Sequence, residues 1–200
     1  MIPIEELRVR VGLEADDTSE DTTLTAMMAG ALAFVETQTR RYFGPITEDF
    51  EILDGHGGRN LWLAEPPVEP PVDEYAPMTL PPLVIVDERT QPGADPITLD
   101  ASSYDVRTRN HEGWLTRFGS VWRRGYEYTV TYYRGYDELP ADIRELVIGL
   151  IGVKFTLGDA AALRSEAIGG YSYTRFGESD LDAVPGGHET IAAWKRMVLA

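Results

Sequence analysis

The residues of this 200-residue chain with the greatest potential for chemistry are its three histidines, at positions 56, 111 and 188. His188-Glu189 begins like the H-E-x-x-H pattern of zinc proteases, in which two histidines four residues apart on a helix hold the metal. Ala192 stands where the second histidine would be needed, so the sequence predicts no metal site there. The chain has no cysteine, which excludes disulfides, cysteine-based zinc sites and thiol catalysis.

Other motifs of catalysis and cofactor binding are incomplete. Gly55-His56-Gly57-Gly58 resembles the oxyanion-hole glycines of some hydrolases, but no serine stands in a G-x-S-x-G elbow, which favours a hairpin loop. Neither G-x-x-x-x-G-K-[ST] nor G-x-G-x-x-G occurs. Asp180-x-Asp182 lacks the rest of a calcium loop. We therefore predict no catalytic residue, no cofactor and no metal. A small enzyme with an unrecognised carboxylate site remains the alternative.

Charge is distributed unevenly along the chain, whose net charge is −15. Such an acidic chain is not expected to coat DNA, because duplex affinity depends on neutralising phosphates. Residues 45–105 carry a net charge of −11, whereas the next block holds six arginines: Arg107, Arg109, Arg117, Arg123, Arg124 and Arg134. Complementary blocks can orient self-association, so these arginines are predicted to form a subunit-interface charge patch. A plain solvated surface is the alternative.

The first 45 residues are predicted to be helical. A short helix begins at Pro3 and ends at Gly12, and Thr18 followed by Asp21 resembles a capping box. Apolar residues then recur at helical spacing: Leu24, Met27, Met28, Ala31, Leu32 and Val35. The sequence therefore predicts a helix over 20–42.

The middle of the chain is predicted to be a small antiparallel β unit. Predicted strands lie at 47–54, 61–63, 83–89, 97–99, 103–108, 114–118 and 126–136. In the last strand, Tyr126, Tyr128, Val130 and Tyr132 alternate with polar residues, and we expect them in a core or a subunit contact rather than stacked on bases. Residues 66–82 hold seven prolines, which favours an extended connection.

Helices return after the β unit. Pro140 lies in the first turn of a second long helix, where Gly149 and Gly152 would allow another helix to approach closely. Its wide apolar face consists of Ile143, Leu146, Val147, Leu150, Ile151 and Phe155. A terminal helix is predicted over 190–199. No apolar run of about 18 residues occurs, so no membrane span is predicted.

These elements predict an α+β fold, in which a helical core of two main helices and short terminal helices carries an inserted antiparallel β unit. The predicted boundaries are 1–45 for the N-terminal helices, 46–136 for the β insertion, 137–163 for the second core helix and 164–200 for a C-terminal arm with a short helix. We expect all four segments to form one structural domain.

Three stretches in this order resemble the head–tail connector proteins of tailed phages and prophages, also called head-completion or adaptor proteins, which have relatives in gene transfer agents. The stretches are LRVRVGLEADDTSEDTTLTAMMAGALAFVETQTRRYFG at 7–44, YRGYDELPADIRELVIGLIGVKF at 133–155 and SEAIGGYSYT at 165–174. The first looks like the opening helix pair of that family, and the second like its strand-to-helix junction. The third is similar to the segment that follows the second helix.

The resemblance implies a structural role without catalysis. It implies a ring, commonly of about twelve copies, that binds below the portal protein, extends the DNA channel and receives a stopper or tail-completion protein. Double-stranded DNA would pass through without specific binding, and no membrane partner is implied. The protein would belong to the virion, at the head–tail interface, after assembly in the cytoplasm of the bacterial host.

The arm after the second long helix is the segment predicted to meet a partner, because its glycines allow a sharp turn and its apolar and tyrosine side chains suit an interface. The predicted contacts to the portal or a neighbouring subunit are Ser165, Glu166, Ile168, Gly169, Gly170, Tyr171, Tyr173 and Trp194. The alternative is an internal loop. At the level of function, the alternatives are a stopper or tail-completion protein and a nucleic-acid-binding module using the arginines and tyrosines of 107–134.

Overall fold

The computed structural model describes residues 2–69, 84–91, 93–109, 111–161 and 176–196. It contains two compact units: a helical unit, formed by Met1–Phe43 with Glu138–Ala200, and a β unit, formed by Gly44–Asp137. Helices and antiparallel sheets are both present, which confirms the predicted α+β class. No helix among the described residues is both long and apolar enough to cross a bilayer.

Five helices make up the described part of the helical unit: α1 (Ile4–Arg10), α2 (Asp21–Thr39), α3 (Ala141–Ala161), α4 (Glu178–Asp182) and α5 (Gly187–Trp194). Helix α2 lies where the sequence predicts a helix, and it ends because Arg40 adopts the left-handed conformation, with φ of 58°. The predicted terminal helix begins and ends earlier than expected, as α5. Helix α4 was not predicted; Asp180 stabilises its start by accepting a hydrogen bond of 2.8 Å from the amide of Gly177.

The predicted capping box before α2 is wrong. Glu20 is the N-cap residue and makes no side-chain cap. Asp21 instead accepts hydrogen bonds from Arg8 on α1, at 2.7 Å from Nε and 2.6 Å from Nη2. Arg8 is buried and also donates to the carbonyl of Ala15 at 2.5 Å. Arg8 therefore ties α1 to the start of α2 and to the turn between the two helices.

The core of the helical unit lies between α2 and α3, with α1 and α5 packed against them. Helix α3 uses the wide apolar face that its sequence predicts. The buried apolar residues of α2 and α3 are Leu24, Met27, Ala31, Val35, Ile143, Leu146, Val147, Ile148, Leu150 and Ile151. Gly149 allows close packing on α3, since a Cβ atom there would lie 2.8 Å from Cγ1 of Val184. A Cβ atom on Gly152 would meet nothing within 4 Å.

The described residues of the β unit form two antiparallel sheets. Its strands are β1 (Thr47–Asp54), β2 (Asn60–Trp62), β3 (Val84–Arg89), β4 (Ile97–Thr98), β5 (Tyr104–Arg109), β6 (Glu112–Arg117) and β7 (Glu127–Arg134). One sheet has the order β1-β7-β3-β4, and the other has the order β2-β6-β5. Among the described residues, the edge strands are therefore β1 and β4 in one sheet and β2 and β5 in the other.

An apolar cluster packs between the described strands of the β unit, and Trp122 lies within it. The Trp122 side chain is fully buried and donates from Nε1 to the carbonyl of Arg59 at 2.9 Å. Tyr128 packs edge-on against it, with ring centroids 5.0 Å apart. Tyr128 and Tyr132 face this interior from β7, which confirms that these tyrosines are core residues.

Candidate functional site: two exposed surfaces of the β unit

Strand β1 presents its apolar side chains in an unusual direction. A half-buried strand ordinarily turns apolar residues inward and polar residues outward. Here Phe50 and Ile52 point outward and are 61% and 56% exposed. Between them, Glu51 points inward and accepts hydrogen bonds of 2.8 Å from the Tyr132 hydroxyl and from the amide of Ala64. The polarity of β1 is therefore inverted over these residues.

Hydrogen bonds from the interior maintain this inversion. Asp49 also points inward, and its carboxylate lies 2.6 Å from Nη2 of Arg134 on the paired strand. Removing a carboxylate from water is costly without partners. Both inward carboxylates of β1 are only partly exposed, and both have partners. Burial raises the pKa of Tyr132, and the neighbouring carboxylate of Glu51 raises it further. Tyr132 therefore remains a neutral hydrogen-bond donor at physiological pH.

The outward side of β1 forms an exposed apolar patch, which we call the β1 patch; it consists of Phe50 and Ile52, with the exposed carboxylates of Glu48 and Asp54 at its two ends. The patch continues across the sheet, because Phe50 and the exposed Ile85 both lie opposite Thr131 of β7. Burying one such side chain contributes about 1.5–3 kcal/mol. Exposed apolar patches with a polar rim are typical of contact surfaces.

The three-stranded sheet carries a second exposed feature on its outer face. Trp62 lies opposite Trp114, and Trp114 lies opposite Arg107, so the three side chains form a row across β2, β6 and β5. The two indole rings are 5.0 Å apart and tilted by 38°, and Trp62 is 38% exposed. The adjacent residues Leu61 and Leu115 point the other way, into the core. We call this feature the Arg-Trp row.

The Arg-Trp row extends along the edge strand β5. Arg107 forms an ion pair with Asp105, two residues earlier on the same side of the strand, with 2.9 Å between Nε and Oδ2. Both side chains are about half exposed. Arg109 is also exposed and follows on the same side of the strand, where Glu112 of β6 lies opposite. This face offers aromatic surface together with cations.

Two of the other predicted interface arginines are engaged inside the β unit. Arg117 lies over the ring of Trp122, with 5.2 Å from its guanidinium carbon to the ring centroid, and its Nη1 is 4.0 Å from Oε2 of Glu88. Its side chain is largely buried. Arg134 pairs with Asp49, as described above. These two arginines support the fold of the β unit.

The last two predicted interface arginines lie around the loop between β1 and β2. The predicted hairpin loop there is wrong, because the two strands belong to different sheets. Arg123 lies over the ring of Tyr126 at 5.5 Å, and Arg124 donates from Nε to the carbonyl of His56 at 3.0 Å. His56 contacts the carbonyl of Asn60 through Nε2 at 2.7 Å. Of the six arginines, the structure places Arg107 and Arg109 together on the outer face of β5 and distributes the others elsewhere.

The predicted partner-interface residues 165–173 lie outside the described residues. Trp194 is described, and it is only 4% exposed. Its ring packs edge-on against Phe43 at 5.5 Å, and its Nε1 donates to Asp142 at 2.6 Å. Nε of Arg41 donates to its carbonyl at 2.5 Å. Trp194 thus anchors α5 within the helical unit.

The described part of the chain has little geometry suited to catalysis or metal binding. No group of three or more His, Asp or Glu residues there could hold a metal ion. A shallow depression over α2 is lined by Asp21, Thr22, Thr25, Ala26 and Ala29. The carboxylate of Asp21 is engaged by Arg8, whose hydrogen bond lowers the pKa of Asp21 below its ordinary value. The depression therefore offers no free acid–base pair.

No protein-family model and no curated protein matches the chain. Solved structures do match the chain. A chain from the neck of an empty gene transfer agent (GTA) particle, computed with C6 symmetry, superposes with a TM-score of 0.61 at 16% identity over 100% of this chain and 91% of that chain. This protein shares its fold with chains of gene transfer agent particles.

Chains from two further solved structures have a similar fold. A chain from the virion of a native GTA particle gives a TM-score of 0.60 at 16% identity, again over 100% of this chain and 91% of that chain. A chain from the neck of a native GTA particle, computed with C12 symmetry, gives 0.54 at 14% identity over 99% of this chain and 90% of that chain. At these identities the similarity is one of fold, and it extends over nearly the whole length of both chains.

The Arg-Trp row and the β1 patch were not predicted from the sequence. The available signal was the placement of Trp62 and Trp114 on two short strands and of Phe50 and Ile52 at alternate positions of a third. The spacing of these residues does not determine which strands pair or in which register. The two surfaces form only in the register that the folded sheets adopt.

Proposed function

We propose that this protein is a structural component of a tailed phage, prophage or gene transfer agent particle, and that it acts there as the head–tail connector. In this role it forms a ring below the portal, extends the DNA channel and receives the stopper or tail-completion protein. The observation that carries the proposal is the fold shared over almost the full chain length with proteins of GTA necks. The resemblance of 7–44, 133–155 and 165–174 to connector proteins supports it independently.

The proposed assembly is a closed ring with head-to-tail contacts between copies. The neck structures that contain the similar chains were computed with six-fold and twelve-fold symmetry, and about twelve copies is the number we propose. A chain with a net charge of −15 has little affinity for the phosphates of DNA. Such a ring lets double-stranded DNA pass without gripping it, and it needs no catalysis.

The contacts to partners are assigned to two parts of the chain. The arm, with Ser165, Glu166, Ile168, Gly169, Gly170, Tyr171 and Tyr173, meets the portal or a neighbouring copy. In the sequence it lies between α3 and α4, two helices of the helical unit. The exposed arginines of β5 contribute to contacts between copies. The protein is then located in the virion, at the head–tail interface, after assembly in the host cytoplasm.

The test is a mass measurement of the purified full chain alone and with the portal protein of the same particle. We expect a complex of portal with a ring of copies, detected by native mass spectrometry. Deletion of 164–174 should abolish that complex while leaving the circular dichroism spectrum of the protein essentially unchanged. A chain that does not bind the portal alone but binds a preassembled portal–connector complex would instead be a stopper or tail-completion protein. Steeply salt-dependent binding to DNA without portal binding would favour the nucleic-acid-binding alternative.

A further inference from the structure

We propose that neighbouring copies contact each other through their β units, with the β1 patch of one copy seated on the Arg-Trp row of the next. This inference rests on the proposed ring and names the surfaces that would join its subunits. It commits to a second copy of this chain as the occupant of both surfaces, because the two surfaces are complementary in polarity and in charge.

The β1 patch supplies one half of this complementarity. Strand β1 carries four acidic residues and no basic residue, and its outward row reads acid, Phe, Ile, acid. Alternate residues of a strand are about 7 Å apart, so Phe50 and Ile52 form a short apolar ridge with Glu48 and Asp54 at its ends. The inverted polarity of β1 leaves this ridge outside the core of its own unit.

The Arg-Trp row supplies the other half. Its indole pair offers a flat apolar surface, and Arg107 and Arg109 lie at the β5 side of that pair. Neighbouring strands are about 5 Å apart, so the row from Trp62 to Arg107 has a length similar to that of the ridge. A β1 strand that crosses the three-stranded sheet places its apolar ridge on the indoles and an acidic end at the arginines.

The geometry favours a head-to-tail contact over a two-fold one. Two β1 patches would bring acids together, and two Arg-Trp rows would bring arginines together, so neither surface suits itself. A contact between two different surfaces of one chain repeats from copy to copy and closes when the rotation allows it.

Charge exchange tests this contact. Glu48→Arg with Asp54→Arg, and separately Arg107→Glu with Arg109→Glu, should each shift the portal-bound ring to single copies in native mass spectrometry. The chain with all four changes restores complementarity and should recover the ring. As a control for net charge, Asp16→Arg with Asp95→Arg changes two exposed acids elsewhere and should leave the ring intact. Rings that survive both double exchanges would overturn this inference while leaving the connector function standing.

Disulfide trapping tests the same contact without the portal. Because the chain has no cysteine, the introduced cysteines are the only ones that can form a disulfide. Phe50→Cys protein is mixed with Trp114→Cys protein at high concentration and oxidised mildly, because the contact places the apolar ridge on the indoles. We expect a cross-linked dimer in the mixture, well in excess of that formed by either variant alone. If the mixture gives no excess, the contact does not form. If a single-stranded oligonucleotide quenches the indole fluorescence and both double exchanges keep the ring, the row is a nucleic-acid surface and the inference is wrong.

Discussion

Trp194 donates a hydrogen bond of 2.6 Å from its indole nitrogen to Oδ2 of Asp142, 52 residues earlier in the sequence. Asp142 lies in the first turn of α3, where its other carboxylate oxygen accepts from the amide of Ile143 at 2.9 Å. A carboxylate is favourable at this end of a helix. One side chain therefore stabilises the start of α3 and fixes the position of α5 at the same time.

Replacing Trp194 tests this link. Trp194→Phe keeps much of the apolar packing against Phe43 but removes the donor, and we expect the free energy of unfolding to fall by about 1–3 kcal/mol. Trp194→Ala also opens a cavity and should cost about 3–5 kcal/mol. Both values can be measured by urea denaturation. Asp142→Asn keeps an acceptor oxygen and should be milder than Trp194→Phe; equal stability of wild type and Trp194→Phe would contradict the role of the hydrogen bond.

Two glycines of α3 provide a matched pair. Gly152→Ala should raise the stability of the protein by up to about 1 kcal/mol, because alanine favours a helix and a Cβ atom there meets nothing. Gly149→Ala should instead lower it by about 1–3 kcal/mol, because the new Cβ atom would lie 2.8 Å from Val184. Thermal denaturation distinguishes the two signs. Adding Val184→Ala to Gly149→Ala should recover part of the loss, and a lack of recovery would show that the clash is not the cause.

The pairing of Arg8 with Asp21 predicts a dependence of stability on acid pH. The hydrogen bond from Arg8 lowers the pKa of Asp21 below its ordinary value of 3.8. A lowered pKa contributes stability that is present above pH 3.8 and is lost as the pH falls through the folded-state value. The stability advantage of wild type over Asp21→Asn should therefore be full at neutral pH and should disappear in strong acid. Denaturant unfolding across the acid range measures it, and a difference independent of pH would refute the prediction.

The raised pKa of Tyr132 predicts that stability falls as the pH rises in the alkaline range. Burial raises the pKa of Tyr132 above its ordinary value of 10.0, so its contribution to stability is present below pH 10 and is lost as the pH rises toward the folded-state value. Tyr132→Phe removes the hydrogen bond to Glu51 and should cost about 1–3 kcal/mol at neutral pH. The variant should then lose less stability than wild type above pH 10. Denaturant unfolding of both proteins at pH 8 and again above pH 10 measures this difference, because the contribution of Tyr132 is full at the lower pH and falls at the higher one.

The placement of helices could be predicted largely from local patterns. The apolar spacing from Leu24 to Val35 locates α2, and Pro140 with the apolar face that follows locates α3, because helical periodicity is a property of neighbouring residues. The capping-box prediction was wrong because Asp21 had two possible partners. Its hydrogen bond to the backbone of its own turn could be predicted from neighbouring residues. Its hydrogen bond from buried Arg8 on another helix could not, because that contact depends on how the two helices pack.

The two candidate surfaces show the limit of local patterns more clearly. The residues of β1 predict a strand, but its sequence does not tell which face lies inward. Glu51 turns inward because the Tyr132 hydroxyl, 81 residues away, supplies its hydrogen bond, and Phe50 and Ile52 are turned outward as a result. The Arg-Trp row likewise depends on the pairing of three strands, which no single strand specifies.

The sequence by itself determined the order of the strands and of every helix except α4, the absence of cysteine chemistry, the acidic net charge and the resemblance to connector proteins, because each of these follows from composition or from neighbouring residues. Only the tertiary structure decided which arginines are exposed, where Trp194 is buried and which side chains form the two complementary surfaces. The physical reason is that these outcomes depend on contacts between residues far apart in the chain, whose register is selected by the packing of the whole unit.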